Sequence, residues 1–227
     1  MLAFALFALI QLFSPGCSQV TTNMGVARLT QVLYDVDSGV NVEARYNIWF
    51  KDSVTIQEIP VFNTVQDTAG NRTHSVSIKH YTYLNPKSNI YRDYRNFSDT
   101  AGIKKSYKSI AAAADGGAWD FYSDFPYTYE SIENLSDSVI DNISYNRFKM
   151  LKNFNKIDFY QILYTRCDMK GFLIKDLKPV SDSIGCPIFI TEIYFKKSGK
   201  MQTSFSIEIV KEGLSKKELE VFEAWGK

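Results

Sequence analysis

Residues 42–50 alternate without interruption. Val42, Ala44, Tyr46, Ile48 and Phe50 fall on one side, and Glu43, Arg45, Asn47 and Trp49 on the other. A period of two sends successive side chains to opposite faces of a strand. This stretch must therefore pair into a sheet with one buried face. Val26 to Val36 precedes it as a partner strand, and Asp37-Ser38-Gly39 supplies turn chemistry between them. After Lys51-Asp52-Ser53 a third strand begins at Val54 and Ile56. Its phase slips to Ile59 and Val61 around Glu58-Ile59-Pro60. Proline cannot donate to a ladder, so a bulge or an edge position is expected there. A fourth strand is expected from about His74 to Leu84, and a short one from Ile90 to Tyr94.

The C-terminal third carries the same signal. Phe159 to Thr165 and Phe172 to Leu177 read as strands. Ile188 to Lys196 is apolar on both faces apart from Thr191 and Glu192, which fits a central strand. Lys197-Ser198-Gly199-Lys200 is a turn, and Met201, Thr203, Phe205, Ile207 and Ile209 then alternate with polar residues. Ser215 and Glu218 form a capping box for a terminal helix, with Leu214 and Leu219 placed as its hydrophobic staple. Leu219, Phe222 and Trp225 give that helix an apolar face, and Gly226 is a suitable stop. The middle is less regular. Lys104 to Ala114 reads as a short helix or a surface excursion, and residues 119–130 as aromatic-rich irregular structure. Residues 131–155 fit neither period. The 14 Tyr, 16 Phe and 3 Trp favour pleated, half-buried surfaces. The expected fold is mainly β (α+β): a single curved antiparallel sheet or open barrel with a C-terminal helix packed on it. A two-sheet sandwich is the alternative.

The first residues point to export. Met1 to Phe13 is apolar apart from Gln11, and Pro15, Gly16 and small residues around Cys17 follow. That is the layout of a secretory segment and its cleavage site, although no Lys or Arg precedes the apolar run. Gly16-Cys17 matches part of a bacterial lipoprotein signal, with Ser14 and Pro15 departing from it. On that reading Cys17 is the lipidated first residue of the mature protein and attaches it to the membrane. The rival is ordinary cleavage after Ser18. The chain therefore divides into a signal peptide at 1–18 and a single β-rich domain at 19–227. An exported location, periplasmic or anchored to the outer membrane, is expected. Cys167 and Cys186 then remain as an even pair in an oxidising compartment. A disulfide between them is expected, with two buried free thiols as the alternative.

The charge balance and the motifs exclude more than they assign. With 26 basic and 25 acidic residues there is no basic excess to attract nucleic acid. There is no Gly-x-Ser-x-Gly elbow, His-Glu-x-x-His motif, dinucleotide fingerprint or phosphate loop. His74 and His80 are six residues apart in one expected strand, too far to share a metal. No cofactor, metal site or catalytic residue is assigned. A hydrolase would need one of these histidines beside a carboxylate and a hydroxyl in a pocket.

Gly185-Cys186-Pro187-Ile188-Phe189-Ile190-Thr191-Glu192-Ile193 is similar to the Gly-Leu-Pro-Gly-Leu-Ile-Leu-Glu-Ile signature of the GLPGLI family of secreted Bacteroidota proteins. Gly185, Pro187, Ile190, Glu192 and Ile193 match, whereas Cys186, Ile188 and Thr191 depart. The resemblance implies export and a β-rich architecture with the motif late in the chain. It implies no activity. Together these readings give a non-enzymatic cell-envelope protein that binds a hydrophobic, peptide or glycan ligand, or a protein partner. A structural or assembly factor without a small ligand is the alternative.

Overall fold

The computed structural model describes residues 23–34, 41–70, 72–119, 130–154, 157–169 and 178–227. The signal segment, Cys17, the turn at residues 37–39 and the expected strand at 172–177 lie outside the described residues.

Among the described residues, eleven strands form one antiparallel sheet. In chain order they are β1 (Met24–Tyr34), β2 (Asn41–Lys51), β3 (Val54–Gln66), β4 (Arg72–Asn85), β5 (Ile90–Tyr94), β6 (Ile103–Ser106), β7 (Ser131–Ile140), β8 (Ile143–Phe154), β9 (Ile157–Thr165), β10 (Ile188–Phe195) and β11 (Met201–Glu212). Their spatial order is β6-β5-β4-β3-β2-β1-β11-β10-β9-β8-β7. Two runs of antiparallel neighbours thus meet where the first strand pairs with the last. The edges β6 and β7 do not pair with each other, so the sheet is open.

The strict alternation of β2 is what seats it at the centre. Ala44, Tyr46, Ile48 and Phe50 are all essentially buried and share a cluster with Ala27 and Leu29 of β1 and Ile207 of β11. In register, Tyr46 lies opposite Leu29, and Leu29 opposite Ile207, so one face of three adjacent strands carries the core. The phase slip in β3 is a bulge: Ile59 pairs with His80 but Pro60 with Ile78, so β4 holds the extra residue.

Helices seal the β2–β5 side. The helix α1 (Ile110–Ala114), N-capped by Ser109, covers one face, where Ala113 and Ala118 pack on Ile59, Leu84 and Tyr91. The C-terminal helix, here α3 (Lys216–Trp225), covers the other, setting Val221, Phe222 and Trp225 against Ile56, Tyr83 and Tyr94. Its capping box is complete: the Ser215 hydroxyl accepts from the Glu218 amide, and the Glu218 carboxylate accepts from the Ser215 amide. Val221 takes the buried place expected for Leu219, which is half-buried. On the opposite side of the sheet, α2 (Lys178–Ile184) lays Val180 and Ile184 on Met150, Leu163 and Ile188.

The irregular middle contains structure the period did not reveal. Residues 103–114 are strand β6 followed by α1, and residues 131–154 are the hairpin β7–β8.

Candidate ligand cleft

A cleft of about 470 Å³ opens where β10 begins. Four pieces of chain meet there. β10 pairs with β11 from Ile190 onward, opposite Ser206. Further along β11, Ile207 and Ile209 pair with Leu29 and Ala27 of β1, and no β10 partner is recorded for them. The sheet parts at this point, and its apolar side chains line the gap.

The β7–β8 turn forms the opposite wall. Ile140 pairs with Ile143, and Asp141 and Asn142 between them have φ of 50° and 63°. Two consecutive positive φ values are those of a tight hairpin turn whose twist matches that of the strands, and Asp and Asn tolerate them. The turn thereby presents Ile140 and Ile143 to the cleft. Met169 comes from the 3₁₀ turn Cys167–Met169 that ends β9. Phe189 and Ile190 come from the start of β10, where register shifts between Ile188 and Ile190 leave Phe189 as the extra residue.

Cys167 and Cys186 are bonded, and their bridge ties the 3₁₀ turn to the chain just before β10. Three local bonds support it. The Arg166 amide donates to the Pro187 carbonyl at 3.1 Å. The Ser181 hydroxyl donates to the Cys186 carbonyl at 2.9 Å in a buried position. The Gly185 amide donates to the Ser181 carbonyl at 2.9 Å, closing α2. Gly185 has φ of 79°, the left-handed conformation that ends many helices and favours glycine.

The resemblance motif is therefore divided by task. Gly185 turns the chain out of α2, and Pro187 is buried beside the disulfide. Ile190 lines the cleft. Glu192 lies away from it and accepts from the hydroxyls of Tyr164 and Tyr194, each at 3.0 Å. Ile193 is half-buried opposite Thr203. Of the matching motif residues and the two cysteines of the bridge, only Ile190 lines the cleft itself.

The polar groups of the lining are few. Arg166 places its guanidinium 5.6 Å from the Phe189 ring centre. It donates from Nε and Nη2 to the two oxygens of Asp168, at 3.2 and 2.5 Å. That pairing raises the Arg166 pKa and lowers that of Asp168. The Tyr145 hydroxyl is pushed up, first by burial and then by Asp141 and Asp168 against the opposing pull of Arg166, so it stays protonated and neutral. Asp141, Ser206 and Glu208 complete the rim.

The one histidine with the company that hydrolysis would need sits elsewhere. His80 Nε2 lies 3.3 Å from Asp93 Oδ2, and Asp93 also accepts from the hydroxyls of Thr82 at 2.7 Å and Tyr107 at 2.6 Å. Yet His80 and Asp93 are each about 3% exposed, enclosed between β3–β5 and the α1 layer. A substrate cannot reach them there. His74 is bonded to Thr64 at 2.9 Å near the far end of the β3–β4 hairpin. No group of three or more metal-ligating side chains occurs among the described residues, and no described helix is long and apolar enough to cross a membrane.

Sequence comparison finds no matching protein-family model and no matching curated protein. Among solved structures, a domain described as an outer membrane lipoprotein-sorting protein from Vibrio parahaemolyticus is similar at 8% identity and a TM-score of 0.25, covering 88% of this chain and 92% of that one. A LolA superfamily protein from Nitrosomonas europaea is similar at 9% identity and a TM-score of 0.24, covering 82% and 84%. At such scores the likeness decides nothing about function, which rests on the cleft's own residues.

Proposed function

We propose that this protein is an exported cell-envelope protein that holds an apolar ligand in the cleft at the start of β10 and performs no chemistry on it. The cleft carries the reading. Its walls are Ile140, Ile143, Met169, Phe189, Ile190, Ile207 and Ile209. A volume of about 470 Å³ lies within the range of small-ligand sites, and such sites combine apolar walls with a few fixed polar groups. A bonded Arg166–Asp168 pair and a neutral tyrosine hydroxyl are groups of that kind. They orient a ligand but offer no nucleophile beside a base.

Export through residues 1–18, lipidation at Cys17 and membership of the GLPGLI family belong to the same reading. Membrane fractionation of the wild type and Cys17→Ala in a related bacterium tests attachment. The wild type partitions with membranes and the variant does not.

Binding is tested with the uncharged fluorescent probe N-phenyl-1-naphthylamine, whose emission rises in apolar surroundings. The wild type brightens the probe saturably. Ile190→Trp, which fills the cleft from a half-buried position, abolishes this while leaving the thermal transition in place. Unchanged binding by that variant would remove the cleft as the ligand site.

A further inference from the structure

We propose that the cleft selects a straight apolar chain bearing a cationic end, such as an alkyl amine or quaternary ammonium, over the same chain bearing a carboxylate or sulfate. The inference rests on the ligand-cleft reading above and concerns what the rim adds to it.

The walls set no preference among chains, but the rim does. Its lining carboxylates are Asp141 and Glu208, both exposed at the surface. Its lining cation is Arg166, and that guanidinium is already committed to both oxygens of Asp168. An anionic head placed at the rim would find only the remaining N–H groups of that guanidinium, whose charge Asp168 already offsets. It would also face Asp141 and Glu208 directly.

The next charges do not reverse this. Arg28 lies opposite Glu208 in the register of β1 and β11. Its charge also acts on Glu58, whose carboxylate accepts from the Asn47 amide at 2.6 Å. Among the described residues, Asp141, Asp168 and Glu208 then stand against Arg166 and Arg28. The balance is negative. Tyr145 adds no charge, because burial keeps its hydroxyl protonated. A cleft with apolar walls and one sign of charge at its mouth attracts the opposite charge and rejects its own. The rim groups are solvated, so the effect weakens as salt shortens the screening length.

Isothermal titration calorimetry of the purified protein tests the idea with three dodecyl compounds below their micelle concentrations. They are dodecyltrimethylammonium, an uncharged dodecyl ether and dodecanoate. The expected order of affinity is cationic, uncharged, anionic. The two extremes should differ by on the order of tenfold at low ionic strength, and the gap should shrink toward unity in high salt. The double variant Asp141→Asn, Glu208→Gln narrows the gap between the cation and dodecanoate at low salt. Asn tolerates the positive φ of position 141, so the turn is kept. If the uncharged ether binds and dodecanoate binds as well as the cation, the selectivity is overturned while the cleft reading stands. If none of the three binds, the cleft reading fails and the selectivity with it.

Discussion

The β2–β5 side of the sheet is covered on both faces, whereas the β8–β11 side parts into a cleft. On the first side, α3 brings Val221, Phe222 and Trp225 down on one face, and α1 covers the other. Rings fill the contact under α3: Trp225 stacks on Tyr94 at 3.8 Å with planes 6° apart, and Phe97 and Tyr83 meet Trp225 edge-on. On the second side, α2 covers one patch, around Met150, Leu163 and Ile188. Near the start of β10 a disulfide and backbone bonds act together with the packing of Ile188 and Phe189 to hold the chain. Packing that fills all its space leaves nothing for a ligand. A covalent tie can hold strands in place while leaving a gap between them.

The sharpest way to break this contrast is Trp225→Ala. Trp225 is 1% exposed, and its indole N–H donates to the Ser98 carbonyl at 2.9 Å. Removing it leaves a cavity and an unpaired acceptor, for a loss of about 4 kcal/mol in denaturant unfolding. Ligand affinity of the folded fraction is expected to stay as in the wild type, because no cleft-lining residue belongs to the apolar cluster under α3. A large loss of affinity at conditions where the variant is folded would show that the two sides are coupled.

The complementary change is Cys167→Ala with Cys186→Ala. The bridge closes a loop with a sequence separation of 19, and in the chain-entropy model its loss costs about 3 kcal/mol. Here stability and affinity should fall together, since Met169 on one side of the bridge and Phe189 on the other both line the cleft. Parallel unfolding and probe titrations check this.

Acid probes the sealed side through two groups. Burial alone would raise the Glu218 pKa, but bonds from Lys211 at 2.7 Å, from the Ser215 amide and from Trp49 outweigh it and hold it down to about 2. A folded pKa below the ordinary 4.5 means that the unfolded chain binds the proton more readily. The stabilisation is complete above pH 4.5 and is lost as pH falls from there toward 2. Allowing for partial solvation, it amounts to about 1–2 kcal/mol. His80 works in the same direction at higher pH. Burial lowers its pKa against the opposing pull of Asp93, so the sealed side also loses stability as pH drops below 6.5. Glu218→Gln reduces the lower of these two slopes in a stability-versus-pH curve, leaving the share of Asp168 on the cleft side, and leaves the upper one.

These two sides were not equally legible in the sequence. The sealed side announces itself locally. The alternation of β2, the Ser215–Glu218 box and the Phe222/Trp225 spacing are patterns within a few residues of one another, and each led to the element found. The cleft is assembled from residues far apart in the chain, at 140–145, 166–169, 189–190 and 206–209. No local period brings such pieces together. One clue was present: Ile140-Asp141-Asn142-Ile143 is a two-residue turn between apolar residues, the short-range mark of a hairpin. It was obscured by the many polar residues of β7, an edge strand that is mostly exposed and so carries little alternation. His80 shows the reverse case. Its company of Asp93, Thr82 and Tyr107 depends on the pairing of β4 with β5 and on Tyr107 following β6, and neither was readable from spacing.

The smallest effects give the finest comparison, because each side holds one helix end made by a single residue. Ser215→Ala removes the side-chain acceptor at the start of α3 and is expected to cost about 1 kcal/mol. Gly185→Ala places a Cβ at φ of 79°, where no neighbour lies within 4 Å, so the cost is backbone strain alone and also about 1 kcal/mol. Equal in stability, the two should differ in binding. The strain at 185 sits one residue before Cys186 and four before Phe189, and it is relieved by small rotations that move the start of β10. Ser215 has no such connection to the cleft. Probe affinity is therefore expected to drop several-fold in Gly185→Ala, in keeping with about 1 kcal/mol passed to the site, and to stay unchanged in Ser215→Ala. Equal affinities in the two variants would mean that the disulfide holds the start of β10 regardless of how α2 ends.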